Sequence, residues 1–94
     1  MNLQDNHTTE KPVSAIPLFK GEGTATSLQI LQNQKLKEHS TKIPALLICV
    51  AGEVVFEDEN GIKVILKSGD YIPIEPLVKH WVVGKVDSQL VLLK

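Results

Sequence analysis

Hydrophobic and polar positions alternate in short runs along the second half of the chain, which is the pattern of β-strands. Val54 to Glu57 and Ile62 to Lys67 flank the tetrapeptide Asp58-Glu59-Asn60-Gly61. An Asn-Gly pair is a strong hairpin signal, because both residues tolerate positive φ. In the second arm every other residue is apolar up to Leu66, which predicts one buried face and one largely wet face.

Further short apolar runs continue this series after the hairpin. They are Tyr71 to Ile74, His80 to Val83 and Gln89 to Leu93, with a turn predicted at Ser68-Gly69-Asp70. Ala45 to Ala51 is apolar at every position, so both faces of that strand are expected to be covered. Short strands with turn signals at near-regular spacing predict an all-β sandwich or small barrel.

The first third of the chain gives weaker signals. Residues 1–12 are polar and predict either a frayed tail, with His7 in solvent, or an arm that pairs with a partner subunit. Val13 to Phe19, broken by Pro17, fits an edge strand. Thr24 to Gln34 has both helical and strand spacing, and a strand is favoured because no cap-and-stop pair frames a helix. Residues 13–94 therefore form the predicted domain.

Composition narrows the function classes. The cationic side chains are all lysines and the net charge is −1, which argues against nucleic-acid binding because arginine and a basic patch are its usual marks. Cys49 is the only cysteine and cannot form an internal disulfide. The polar N-terminus is unlike a signal peptide, and no apolar run approaches the ~20 residues that span a bilayer. A soluble, cytoplasmic protein that binds no membrane is expected.

Two groups of residues have spacing that points to a family. The first runs from Asn33 through His39, Thr41 and Ala45 to Gly52, and the second from Gly69 through Asp70, Pro73 and His80 to Gly84. Together they resemble the two motifs of cupins, small double-stranded β-helix (jelly-roll) barrels. In the first motif, cupins have a glycine where Asn33 stands, a second histidine at Thr41 and a glutamate at Ala45. In the second, Glu75 and Leu77 replace the inner proline and glycine. The resemblance implies a single-domain cupin-type β-barrel.

These departures affect the metal site that the resemblance implies. In metal-binding cupins, two histidines, the glutamate and a later histidine hold one metal ion, and here only His39 and His80 of that set are present. Transition-metal sites usually need three or four protein donors. If Ala45 points inward, so do Leu47 and Cys49, so the Cys49 thiolate is a candidate third donor. The alternatives are that Cys49 is a small buried hydrophobe and that the histidines hydrogen-bond a ligand, water or each other.

The same strand parity predicts an interior pocket and an outer apolar face. The predicted pocket is lined by His39, Thr41, Leu47, Cys49, His80 and Val82. The predicted outer face carries Leu46, Ile48, Val50 and Trp81. An apolar outer face favours an interface, and cupins commonly pair through a sheet face. A homodimer is therefore expected, the alternative being that N-terminal strands of the same chain cover this face.

Three functions of different classes follow from these expectations. The first is a small-molecule-binding cupin without chemistry of its own, because the predicted pocket is mostly apolar with few polar groups. The second is a metal-dependent enzyme, such as a dioxygenase or isomerase, that uses a divalent transition metal held by His39 and His80. The third is a dimeric interaction or regulatory protein. We rank them in this order, and fold alone does not decide among them.

Overall fold

Nine β-strands and one short 3-10 helix make up the structure, a computed structural model that describes residues 1–94. The helix is Leu3–Asn6. The strands are β1 Val13–Lys20, β2 Thr24–Ile30, β3 Lys35–His39, β4 Ala45–Ala51, β5 Glu53–Asp58, β6 Lys63–Lys67, β7 Tyr71–Ile74, β8 His80–Gly84 and β9 Ser88–Leu93. The all-β prediction is confirmed, including the strand favoured after Thr24. The helix, with its 4 residues, is too short to span a bilayer.

The strands form two antiparallel sheets. One has five strands in the order β1-β2-β9-β4-β7, and the other has four in the order β3-β8-β5-β6. Strands that are neighbours in a sheet are mostly far apart in the chain, as in a jelly roll. No hydrogen-bonded strand pair joins the two sheets, so β1 and β3 are edge strands of different sheets.

The core lies between the two sheets and is built from one face of each strand. Ile30, Leu47 and Leu90 come from the five-stranded sheet, and Val54 and Val82 from the other, all nearly inaccessible to solvent. Burial of each such side chain contributes about 1.5–3 kcal/mol. Because the core is drawn from every other residue, the alternation seen in the sequence is the pattern that fixes which face points inward.

The apolar strand β4 does not have both faces covered, contrary to the expectation from its sequence. Ala45, Leu47 and Cys49 are buried, Leu46 and Ile48 are half-buried, and Val50 is 44% exposed. The N-terminal segment packs on the outer face of the five-stranded sheet. It covers β2 and β9 rather than β4. Gln29 Nε2 donates to the Thr8 carbonyl at 3.0 Å, and Gln89 Nε2 donates to Gln29 Oε1 at 2.7 Å. Val50, near the end of β4, therefore stays partly exposed.

The N-terminal segment is anchored by His7, which was expected to be in solvent. His7 Nδ1 contacts Ser14 Oγ, and His7 Nε2 lies 2.8 Å from Ser27 Oγ. Ser27 is completely buried beneath this segment. The solvated interpretation was wrong because two serines that face outward on adjacent strands, β1 and β2, present a polar patch that the imidazole satisfies.

The turns follow the sequence signals. Asp58 Oδ1 accepts from the amides of Asn60 and Ile62 and closes the predicted hairpin, and Gly61 has φ 89°. Asn60 itself does not adopt positive φ. Asn33, at the position where cupins have a glycine, has φ 63°, a conformation that asparagine tolerates better than most residues.

Candidate functional site

Two histidines meet between the ends of β3 and β8. His39 and His80 are direct partners in the antiparallel pairing of these strands, and their Nε2 atoms lie 3.0 Å apart. A register shift between Leu36 and His39 turns the histidine to the inner face, because without this irregularity residues three apart in a strand face opposite ways. The pair that the sequence motif suggested is thus formed by a local bulge.

Each imidazole contacts the backbone carbonyl of the residue two positions before it in the chain. His39 Nδ1 lies 2.9 Å from the Lys37 carbonyl oxygen, and His80 Nδ1 lies 3.2 Å from that of Val78. A carbonyl can only accept, so these contacts favour protonated Nδ1 atoms and leave lone pairs on both Nε2 atoms. The 3.0 Å contact then becomes a hydrogen bond only when one ring carries a proton on Nε2. With a lone pair on each Nε2 atom, the two rings do not hydrogen-bond to each other.

His80 is the buried member of the pair. It is 2% exposed, and the Phe56 ring stacks on it with centroids 5.6 Å apart. Burial is the main cause that lowers the pKa of His80, and the nearby His39 and Lys94 act in the same direction. The Val78 carbonyl and Asp58 oppose that shift. The neutral form of His80 is therefore favoured, and it can donate or accept a hydrogen bond.

The residues around the pair do not complete a metal site. Thr41 Oγ1 donates to the Ile43 carbonyl at 2.7 Å, and Ala45 has no donor atom. The buried Cys49 thiol is oriented toward the Ala51 carbonyl, 3.8 Å away. No group of three or more His, Cys, Asp or Glu side chains is placed to hold a metal ion. Cys49 is therefore not grouped with the two histidines, and two imidazoles alone fall short of the usual donor set.

Burial also suppresses the chemistry of the Cys49 thiol. Burial is the main cause that raises its pKa, with further contributions from the charges of Asp70 and Glu53. The thiolate is the form that binds metals and attacks electrophiles. Cys49 therefore behaves as the small core hydrophobe that was the alternative interpretation of this residue.

Two cavities adjoin the histidine pair. The first, the β1–β3 cleft, has a volume of about 760 Å³ and is lined by Pro12, Val13, Ala15, Thr26, Leu28, Gln34, Lys35, Leu36, Lys37, Glu38, His39, Leu92 and Lys94. The second, the hairpin cavity, has a volume of about 390 Å³ and is lined by Phe56, Asp58, Asn60, Ile62, Ile72, Pro73, Ile74, Glu75, Val78 and His80. Each cavity thus has one histidine in its wall.

The predicted pocket residues are distributed differently from the expectation. His39 lines the β1–β3 cleft and His80 the hairpin cavity, whereas Leu47, Cys49 and Val82 belong to the hydrophobic core and line neither. Thr41 is buried and also lines neither cavity. The centre between the sheets is filled by the side chains of this core.

Sequence reasoning missed the residues of β1, β2 and β9 that form much of the cleft wall. Ala15 is the register partner of Leu28, and Thr26 is the partner of Leu92. The alternation along each strand indicates which of these side chains point inward. It does not indicate which strands border an open cleft, because that depends on the order of strands in the two sheets.

The four residues of the predicted outer apolar face do not share one surface. Leu46, Ile48 and Val50 lie on β4 of the five-stranded sheet, whereas Trp81 lies on β8 of the four-stranded sheet. Trp81 Nε1 donates to Glu57 Oε2 at 2.6 Å, and Lys35 Nζ lies 5.6 Å from the indole centroid. Local polar partners thus engage the tryptophan. A homodimer stays a prediction.

Comparison with known proteins places the fold. No protein-family model and no curated protein matches the chain. A cupin superfamily protein of Desulfitobacterium hafniense is 16% identical with a TM-score of 0.84, and the match covers 94% of this chain and 81% of that one. An RmlC-like cupin of Shewanella frigidimarina is 20% identical with a TM-score of 0.78, covering 87% and 74%. KdgF from Halomonas sp. is 20% identical with a TM-score of 0.79, covering 95% and 87%.

These similarities establish the architecture. The chain has the cupin fold, an all-β jelly roll of two antiparallel sheets. The fold predicted from the degenerate motifs is confirmed. Identities of 16–20% to these structures establish only the fold. This fold occurs in proteins with many unrelated activities. The function has to be argued from the site of this chain.

Proposed function

We propose that this protein binds a small organic molecule in the β1–β3 cleft, with His39 of the His39–His80 pair as a polar contact in its wall. The observation that supports this proposal best is the cleft itself, a cavity of about 760 Å³ that opens between two sheet edges and has His39 in its wall. Its size lies within the range of small-molecule sites, about 300–1,000 Å³.

The walls of the cleft suit an organic ligand. Leu28, Leu36 and Leu92 supply aliphatic surface on the side where the two sheets meet, and Thr26 adds a hydroxyl. Ligand sites are mostly apolar, with a few polar groups that fix orientation. His39 Nε2 already has a contact that it can exchange, because its partner is another imidazole nitrogen 3.0 Å away. A ligand hydroxyl, amide or acid group can take over that contact.

The metal-dependent enzyme that was the alternative needs donors that these residues do not supply. His39 and His80 would be two ligands, and neither a carboxylate nor the Cys49 thiol completes the set. The site residues therefore support binding without metal chemistry. No step of catalysis is assigned to the histidines.

The binding proposal is tested by a ligand screen with a blocked cleft. Small organic acids, alcohols, amides and amines are screened by saturation-transfer NMR against the wild-type protein and against Ala15→Phe. Ala15 is exposed on β1 and lines the cleft, so the added ring obstructs the cleft without entering the core. Ile65→Phe is the matched control, because Ile65 is exposed on β6, outside the cleft.

The expected result is a set of compounds that bind the wild type and the Ile65→Phe variant but lose binding to Ala15→Phe. Compounds that bind all three proteins equally would contradict the proposal, since their site would lie elsewhere. Absence of any binder in all four compound classes would also contradict it.

A further inference from the structure

The charges around the β1–β3 cleft are uneven. Three lysines line it, Lys35, Lys37 and Lys94, against the single carboxylate of Glu38. Glu38 Oε1 lies 3.8 Å from Lys79 Nζ, and none of the three cleft lysines forms an ion pair. The cleft lining therefore carries more ammonium groups than side-chain carboxylates.

Lys94 is the lysine that the strand geometry directs toward the interior. Leu90 and Leu92 face the core from β9, and the antiparallel pairing continues past Leu93, because Thr24 and Lys94 exchange both backbone hydrogen bonds at 2.6 and 3.1 Å. Lys94 therefore has the same inward parity as the two leucines. Lys94 is exposed at the end of this strand and is one of the residues that line the cleft together with His39.

The charge of Lys94 also acts on His80 of the histidine pair. Burial is the largest cause of the lowered pKa of His80, and the positive charge of Lys94 is one of the charges that lower it further. Lys35 is differently engaged, since its Nζ lies 5.6 Å from the Trp81 ring centroid. Lys94 and His39 are thus two polar residues of the same cleft wall, and Lys94 has no ion-pair partner there.

We propose that the cleft selects an organic anion with an aliphatic body, its acid group lying between Lys94 Nζ and the His39 imidazole. The aliphatic body would pack on Leu28, Leu36 and Leu92, the apolar part of the same wall. This inference rests on the proposed function and adds the ligand class to it. A carboxylate is the simplest such acid group. It accepts a hydrogen bond from an ammonium, and it accepts one from His39 when that ring carries a proton on Nε2 in place of the lone pair.

The test uses three compounds of equal chain length and different charge. Hexanoate, hexanamide and hexylammonium are titrated into the ¹⁵N-labelled protein, and dissociation constants are taken from the amide shifts of the cleft strands. Hexanoate is expected to bind about tenfold more tightly than hexanamide, because a charge-assisted hydrogen bond is roughly twice as strong as a neutral one. Hexylammonium is expected to bind more weakly than the amide. Added salt should narrow the difference between hexanoate and hexanamide.

Variants separate the role of Lys94 from general charge. Lys94→Met keeps the length of the side chain and removes its charge, and it is expected to reduce the preference for hexanoate to about twofold. Lys67→Met is the matched control, because Lys67 is exposed on β6 and outside the cleft, and it should keep the full preference. Lys94→Gln provides a second variant if Lys94→Met alters the amide spectrum of the free protein.

Two results would overturn the inference. One is equal affinity for hexanoate and hexanamide, which leaves the proposed binding function standing but removes the charge selection. The other is a hexanoate preference that survives both Lys94 substitutions. If none of the three compounds binds, the aliphatic-anion inference fails, while compounds of other skeletons that need an open cleft would still support the proposed function.

Discussion

The pairing of His39 with His80 depends on how each strand orients its own ring. Both Nδ1 atoms face backbone carbonyls, at 2.9 and 3.2 Å, and both Nε2 atoms face each other. Carbonyl contacts to Nδ1 are also how proteins prepare histidines for metal binding. The orientation alone is therefore compatible with a ligand of either kind, and the number of further donors decides between them.

Metal content tests this argument at the histidine pair. The protein, purified without chelator or affinity tag, is expected to hold far less than about one transition-metal ion per chain, because two imidazoles form a weak site. Elemental mass spectrometry measures the content, with a His39→Ala, His80→Ala double variant as the control. If the wild type holds about one ion per chain and the double variant loses it, the proposal of binding without a metal is contradicted. The metal-dependent enzyme would then be the favoured function.

His7 provides a test of pH dependence away from the candidate site. Burial lowers its pKa below the ordinary value of about 6.5, so between the two values the unfolded chain binds more protons than the folded one. The stability that neutral His7 contributes is therefore fully present above about pH 6.5 and is lost as pH falls through the folded pKa. Acidification should weaken the attachment of the N-terminal segment to Ser27.

The measurement is urea unfolding of wild type and His7→Gln at about pH 7.5 and about pH 5. At the higher pH the substitution is expected to cost about 1–2 kcal/mol, because it disrupts hydrogen bonds to Ser14 and to the buried Ser27. At the lower pH the two proteins should be closer in stability. Thr9→Ala, exposed in the same segment, should cost little at either pH. A His7→Gln cost that grows on acidification would contradict the pKa argument.

At the level of elements, the turn between β4 and β5 is constrained on two counts. Gly52 has φ 99°, a conformation that strains other residues. A Cβ at this position would overlap Ser88 Oγ and lie 2.8 Å from the Asp87 carbonyl oxygen. Ser88 is completely buried and holds the Glu53 amide at 3.1 Å, so it has little room to move.

Gly52→Ala is therefore expected to destabilise the protein by about 3 kcal/mol or more, from backbone strain and steric overlap together. Gly61→Ala is the matched control, because Gly61 has φ 89° but nothing lies within 4 Å of its added Cβ. It should cost only the strain, about 1 kcal/mol. Denaturant unfolding of both variants measures the difference. Equal costs would show that the contact with Ser88 and Asp87 does not limit this turn.

Local patterns predicted most elements because their causes are local. The hairpin at Asn60-Gly61 and the strand after Thr24 were both predicted, since alternation and turn chemistry are carried by the residues themselves. The environment of β4 was not, because an apolar outer face does not reveal what covers it. His7 was missed for the same reason, since its partners Ser14 and Ser27 become a patch only when β1 and β2 pair.

For the whole molecule, the sheet order determines where open space remains. The two motif histidines were expected near one another, and the structure brings them into contact. The expected pocket at the centre is instead packed with Leu47, Cys49 and Val82. The cavities lie toward the sheet edges, which single-strand patterns do not locate. The cleft wall also includes Lys94, which no motif singles out, so the candidate ligand class emerged only from the assembled fold.

The most direct test of the binding account is to locate a bound molecule. A compound that binds in the screen is mixed with ¹³C-labelled protein, and nuclear Overhauser effects are recorded between its protons and the protein methyl groups. Our account predicts contacts to Leu28, Leu36 and Leu92 of the β1–β3 cleft. Contacts confined to Ile62 and Ile72 would place the ligand in the hairpin cavity and contradict the proposed site.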